Sequence, residues 1–130
     1  MEHQCSLTAR SYECDSYGHV NNAVYLNYLE YARLEFMKAA GISYGALRAH
    51  GYGLVVVRIQ IEYRLPVRAD DVLRILTVPL AKHRVKVVFS QRIFRGEEPV
   101  AEAEVTWACI NPEGRPVRLP PELDVPELQP

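Results

Sequence analysis

Asn21-Asn22-Ala23-Val24-Tyr25-Leu26-Asn27-Tyr28-Leu29-Glu30-Tyr31-Ala32-Arg33-Leu34-Glu35-Phe36-Met37-Lys38-Ala39-Ala40 runs for twenty residues without a glycine or a proline. Tyr25, Leu29, Ala32, Phe36 and Ala40 recur at i, i+4, i+7, i+11 and i+15, so they share one face of an α-helix. Gly41 supplies the stop, because a residue just past a helix end commonly turns left-handed. The spacing predicts a helix over 21–40. Tyr31 and Leu34 fall on other faces, beside Asn27, Glu30, Glu35 and Lys38. A helix with apolar surface around so much of its girth is expected to be covered on several sides.

Downstream, the period changes from 3.6 to 2. Val55, Val57, Ile59, Ile61, Tyr63 and Leu65 alternate with Arg58, Gln60, Glu62 and Arg64, the pattern of a long half-buried strand that Pro66 ends. Strands are predicted over 72–80 after a turn at Asp70-Asp71, over 84–95, and over 100–110 after punctuation at Gly96-Glu97-Glu98-Pro99. Four strands on short turns read as an antiparallel meander. Upstream, residues 5–12 read as a further short strand. The stretch 111–130 holds six of the nine prolines and no period, so it is expected to be extended and loosely attached. One helix and about five strands make an α+β layout: a curved antiparallel sheet wrapped around a long central helix. The uncovered face and edges of such a sheet call for a dimer or higher assembly.

Composition sets the outer bounds. The 130 residues suit a single domain, with its core over about 5–110, and 48% hydrophobic with 24% charged residues exclude a disordered chain. Fifteen Lys and Arg against sixteen Asp and Glu leave a net charge of −1, which disfavours a nucleic-acid or polybasic membrane binder. The longest aliphatic run, Leu54-Val55-Val56-Val57, is far too short to span a bilayer. No apolar leader follows Met1. Cys5, Cys14 and Cys109 are odd in number, widely spaced and without a C-x-x-C pair. That spacing points away from a disulfide framework or a metal site and towards the cytoplasm.

The unusual chemistry sits just before the helix, in Tyr12-Glu13-Cys14-Asp15-Ser16-Tyr17-Gly18-His19-Val20-Asn21-Asn22-Ala23-Val24-Tyr25. A carboxylate, an imidazole and two amides precede a helix N-terminus, whose free N–H groups and positive dipole end favour a polarised carbonyl oxygen. Asp15 beside those donors suits attack on an electrophile, as base or as nucleophile. Asp, Ser, Gly and Asn are equally the residues of an ordinary turn and N-cap. Taken alone, the cluster favours the turn.

The longer pattern changes that balance. Tyr12-x-x-Asp15-x-x-Gly18-His19-Val20-Asn21-Asn22-x-x-Tyr25-x-x-Tyr28-x-Glu30-x-x-Arg33 resembles the opening motif of the hotdog-fold acyl-CoA thioesterases, and more closely their 4-hydroxybenzoyl-CoA thioesterase branch. The resemblance extends over nearly all of 5–110, including Ile61-x-Tyr63-x-x-Pro66 and Asp70-Asp71. It implies a helix wrapped by the sheet, protomers paired edge to edge, dimers that associate into tetramers, and active sites at subunit interfaces. It implies hydrolysis of an acyl-CoA to a free acid and CoA, with water and no cofactor. Asp15 matches the catalytic carboxylate, as nucleophile or as general base. The backbone N–H near Asn22 matches the donor to the thioester carbonyl, Gly18 lets the chain turn, and His19 and Asn21 position water or substrate. Tyr17, Tyr25 and Tyr63 join Asn21 as candidate substrate contacts. The plant acyl-carrier-protein thioesterases place an Asn two residues after the Asp; here that position is Tyr17, so their Asp-Asn-His arrangement is incomplete.

Coenzyme A carries phosphates, so its surface needs cations. Arg64, Arg84 and Lys86 are the candidates, with Arg58, Lys82 and Arg92 nearby in sequence. Two other readings compete with hydrolysis of acyl-CoA. One is an acyl-carrier-protein thioesterase; the other is a protein that binds acyl-CoA as sensor or carrier without turning it over.

Overall fold

The period-2 stretches become β2 (Gly53–Tyr63), β3 (Val72–Lys82), β4 (Lys86–Arg95) and β5 (Glu98–Ile110); the strand expected over 5–12 is instead β1 (His3–Thr8), and Ser11–Glu13 is a 3-10 turn. The helical period becomes α1 (Val24–Ala39), followed by a short α2 (Tyr44–Ala49) that the sequence pattern left unassigned. The computed structural model describes residues 1–130. The strands form one curved antiparallel sheet of order β1-β3-β4-β5-β2.

That order corrects the expected meander. β3, β4 and β5 do follow one another, but β2 pairs with β5 and not with β3. The N–H groups of Arg64 and Leu65 donate to the Val100 carbonyl at 2.9 and 3.2 Å, keeping the chain beside β5 until Pro66. Residues 64–71 then carry it past the ends of β5 and β4. The carbonyls of Ala9 and Asp71 close this connection by accepting from the N–H groups of Asp70 and Ala9 at 2.8 and 2.9 Å. A hairpin turn is too short for that path.

β2 is therefore an edge strand. Val55, Val56 and Val57 are 37%, 45% and 59% exposed, with a bulge between Val56 and Arg58. Of its aliphatic residues, only Ile59, Ile61 and Leu54 pack on the core.

α1 begins three residues later than its pattern suggests. The Asn21 Oδ1 accepts from the Ala23 N–H at 2.9 Å, and the Asn21 carbonyl accepts from the Val24 N–H at 2.9 Å. Asn side chains offer the backbone such a turn in place of a helix. Asn22 thus lies in the turn before α1, not in its first helical turn. At the other end Gly41 adopts φ +74°, as its type requires. Tyr25, Leu29, Ala32 and Phe36 are buried as the spacing predicts, joined by Tyr28, Arg33 and Met37. Tyr31 and Leu34 remain exposed, so within one chain the helix is covered on the sheet side alone.

The inner face of the sheet packs against α1 in two clusters. One gathers Tyr25, Tyr28, Leu29 and Ala32 against Leu73, Ile75, Ile93, Ala103 and Val105. The other gathers Phe36 and Met37 against Val87, Phe89 and Trp107, with Leu47 of α2. The second cluster also contains Leu123 and Leu128, both fully buried. The stretch 111–130 is therefore not a loose tail. It makes two 3-10 turns, Pro121–Leu123 and Pro126–Leu128, and closes one end of the core beyond residue 110.

Candidate active site

The loop from Cys14 to Val20 closes on itself through a bridge between those two residues. The Asp15 N–H donates to the His19 carbonyl at 2.7 Å and the Gly18 N–H to the Asp15 carbonyl at 3.0 Å. Gly18 makes the reversal with φ +79°, where an L side chain is strained. The Asp15 Oδ1 accepts from the N–H groups of Tyr17 at 2.9 Å and His19 at 3.3 Å. One carboxylate oxygen thus builds the turn, as an Asx motif does. Oδ2 makes no hydrogen bond within the chain, and Asp15 is exposed.

Glu13 ties this loop to α1. Its Oε1 accepts from the Arg10 N–H at 2.7 Å and from the Tyr28 hydroxyl at 2.8 Å, while its carbonyl accepts from the Asn21 N–H at 2.9 Å. Burial, reinforced by the Glu13 carboxylate, pushes the Tyr28 hydroxyl far above its ordinary pKa, so it stays a donor. Beyond Asn21, the Asn22 N–H has no acceptor within the chain. Tyr63, at the end of β2, donates its hydroxyl to the Asn22 carbonyl at 2.8 Å. Its ring meets Tyr25 edge-on, with centroids 5.0 Å apart.

These groups line one cleft of about 280 Å³: Asp15, His19 and Asn22, then Tyr25, Tyr63 and Arg64, walled by Val20, Leu65 and Pro66. Asp15, with an uncommitted carboxylate oxygen, and Asn22, with an unpaired backbone N–H, border the same space. Such a pair can activate a nucleophile and polarise a carbonyl oxygen.

Six of the sequence-predicted site residues therefore meet here: Asp15, His19, Asn22, Tyr25, Tyr63 and Arg64. Gly18 serves the turn beside the cleft, Asn21 builds the turn that precedes α1, and Tyr17 is 83% exposed outside it. Arg64 spends its Nη2 on Glu62 and Glu102, both at 3.0 Å, and it holds the Glu102 carboxyl below its ordinary range. Arg84 and Lys86 lie elsewhere. Lys86 pairs in register with Ala108 of β5, whereas Tyr63 pairs with Ala101. Seven residues of strand put these positions roughly 23 Å apart. Within one chain, Arg84 and Lys86 share no surface with Arg64. The walls at Val20, Leu65 and Pro66 carry no chemical signature that the sequence could have offered.

The model of the thioesterase-like superfamily matches residues 9–125. The chain belongs to that superfamily. A long-chain acyl-CoA thioesterase, FadM of Escherichia coli K12, is 36% identical over 83% of this chain and 83% of its own length. A chloroplastic acyl-acyl carrier protein thioesterase of Arabidopsis thaliana, ATL2, is 34% identical over 91% of this chain. The chain spans only 64% of the length of that plant relative. The crystal structure of a probable thioesterase from Bartonella henselae superposes with a TM-score of 0.86 at 30% identity, covering 92% of this chain and all of that one. The helix-on-sheet architecture of this superfamily member is the hotdog fold that its motif implied. No helix is long and apolar enough to cross a membrane.

Proposed function

We propose that this protein hydrolyses an acyl-CoA thioester to the free acid and CoA in the Asp15 cleft. The observation that carries the reading is that Asp15, whose Oδ2 is free, and Asn22, whose N–H is free, line one cleft. The Asn22 N–H receives the thioester oxygen as it gains negative charge. Asp15 acts on the carbonyl carbon, either directly as nucleophile or by taking a proton from water. Gly18 shapes the turn that presents Asp15, and His19 borders the cleft where a water would stand. Tyr25 and Tyr63 flank the acyl group. The reaction needs water and no cofactor.

A second reading has its own support: an acyl carrier protein in place of CoA, favoured by the 34% identity to the plant acyl-carrier-protein thioesterase. Arg64, Arg84 and Lys86 serve either thiol carrier through its phosphate, and a partner protomer brings the latter two towards the cleft. The exposed Val55, Val56 and Val57 on the β2 edge support that pairing of protomers, with dimers associating further. Three free thiols suit a reducing cytoplasm.

Thiol release from short, long and aromatic acyl-CoA esters and from an acyl-loaded carrier protein tests the reading, with Asp15→Asn in parallel. Turnover by the wild type and its loss in a folded variant are expected. Tight acyl-CoA binding without turnover by either protein overturns hydrolysis in favour of a sensor or carrier.

A further inference from the structure

Residues 64–71 carry the chain from β2 to β3, and they supply one wall of the Asp15 cleft. Arg64, Leu65 and Pro66 line the cleft, yet all three are exposed, so core packing does not hold them. Val67 is fully buried. Its carbonyl accepts from the Val20 N–H at 2.7 Å, and Val20 in turn bridges to Cys14 beside Asp15. The wall and the Asp15 loop are thereby joined.

Arg95, at the end of β4, grips this wall from behind. Its Nη1 donates to the Pro66 carbonyl at 2.9 Å and to the Asp71 Oδ2 at 3.0 Å. The Pro66 carbonyl has no other donor in the chain. Nε and Nη2 of the same guanidinium donate to the Glu98 Oε1 at 3.4 and 3.3 Å. Three acceptors around one planar fork fix its orientation. Asp71 is fixed as well, because its Oδ2 accepts from the Arg68 N–H and its carbonyl from the Ala9 N–H, both at 2.9 Å. The turn Asp70-Asp71 is thus no part of the cleft, but it seats the side chain that braces it. Arg95 holds the peptide unit before Val67, and Val20 donates to the one after it. Only the two dihedrals of Val67 lie between, and its side chain is packed in the core. The pair also lies within electrostatic reach of the cleft. Burial raises the Tyr25 hydroxyl above its ordinary pKa, and the charges of Arg95 and Asp71 both act on it.

We infer that Arg95, seated by Asp71 and Glu98, is a positioning residue that fixes the Pro66–Val67 wall and, through Val20, the placing of the Asp15 loop. It touches no substrate. Its effect on turnover rests on the thioesterase reading; the bracing itself does not.

The test compares the full-length wild type with Arg95→Lys and Arg95→Met, by amide hydrogen exchange and by steady-state turnover of acyl-CoA esters. Lysine keeps a charge beside Asp71, but one ammonium does not reproduce a fork on three acceptors. That variant carries the test should Arg95→Met not fold. Exchange at the Val20 amide, taken as a ratio to Phe89 in the middle of β4, is expected to rise about fivefold in both. This is the loss of one charge-assisted hydrogen bond, discounted for exposure. The Phe89 reference removes any change in global stability. Where every variant is folded, kcat is expected to fall by a similar factor at unchanged KM. A residue that merely stabilised the fold would move neither the ratio nor kcat. An unchanged ratio overturns the inference, and so does an Arg95→Lys variant that matches the wild type in both readouts. A raised ratio with unchanged kcat overturns the positioning role. Absence of turnover by the wild type defeats the thioesterase reading instead, and the exchange ratio still decides whether Arg95 braces the wall.

Discussion

The hydroxyl of Tyr63 donates to the carbonyl oxygen of Asn22 at 2.8 Å, joining the end of the edge strand to the turn before α1. Forty-one residues separate the two in sequence. The bond fixes the Asn22 residue, whose own N–H is the free donor of the cleft. Tyr63→Phe keeps the ring against Tyr25 and removes only the hydroxyl. A single neutral hydrogen bond is worth about 1 kcal/mol, so turnover should fall roughly fivefold to tenfold. Steady-state kinetics and a melting curve check this. Unchanged kcat/KM would mean that the Asn22 turn holds its place without Tyr63.

Asp15 has two jobs on two oxygens, and two substitutions separate them. Asn at this position keeps an oxygen for the N–H groups of Tyr17 and His19. Asp15→Asn should therefore fold like the wild type while turnover falls about 10²–10⁴-fold, the usual worth of a positioned acid or base. Asp15→Ala loses the turn as well, at a further cost of about 1 kcal/mol in stability. Equal stability of the two variants in urea would show that the Asx turn contributes nothing.

Asp71 makes the fold sensitive to acid. Its carboxylate accepts from the Arg68 N–H at 2.9 Å and from the Arg95 Nη1 at 3.0 Å. The Arg68 N–H foremost, and then Arg95, holds its pKa below the ordinary carboxylate value. In the unfolded chain an Asp titrates at about 3.9. The folded state therefore binds its proton later on acidification. Its stabilisation is present above that value and is lost as pH falls through the lower folded pKa. Melting temperatures of the wild type and Asp71→Asn should differ near neutrality and converge below about pH 4. A gap independent of pH would remove Asp71 from the acid response.

The parts of this structure legible in the sequence are those set by local period. The buried face of α1, the alternation along β5 and the stop at Gly41 all follow from residue spacing. The Asp15 loop was legible through its motif, and its Asx geometry explains why a turn reading competed. What the period does not encode is which strand lies beside which. Parity tells Ile59 and Ile61 which way to face, but it does not say that β2 leaves β3 for the far edge of β5. The exposure of Val57 follows from that choice. Spacing does not fix the start of α1, because Asn21 and Asn22 fit both a helix and the turn they make. α2 has no counterpart in the residue spacing because its six residues are too few to show a period.

The C-terminal stretch offers the sharpest thermodynamic check. Leu128 is fully buried beside Leu123 in the cluster that holds Phe36, Phe89 and Trp107. The chain end is held from the other side too: the Met1 ammonium donates to the Glu127 carbonyl at 3.0 Å. Two leucines among prolines give no helical or strand period, which is why the stretch read as loose. A loosely attached terminus would tolerate Leu128→Ala within about 0.5 kcal/mol. A buried leucine in a packed cluster loses its transfer free energy and leaves a cavity, together about 2–5 kcal/mol. Urea unfolding distinguishes the two, through the midpoint at constant m-value. A midpoint shift within the smaller range would mean that the two 3-10 turns do not close the core in solution.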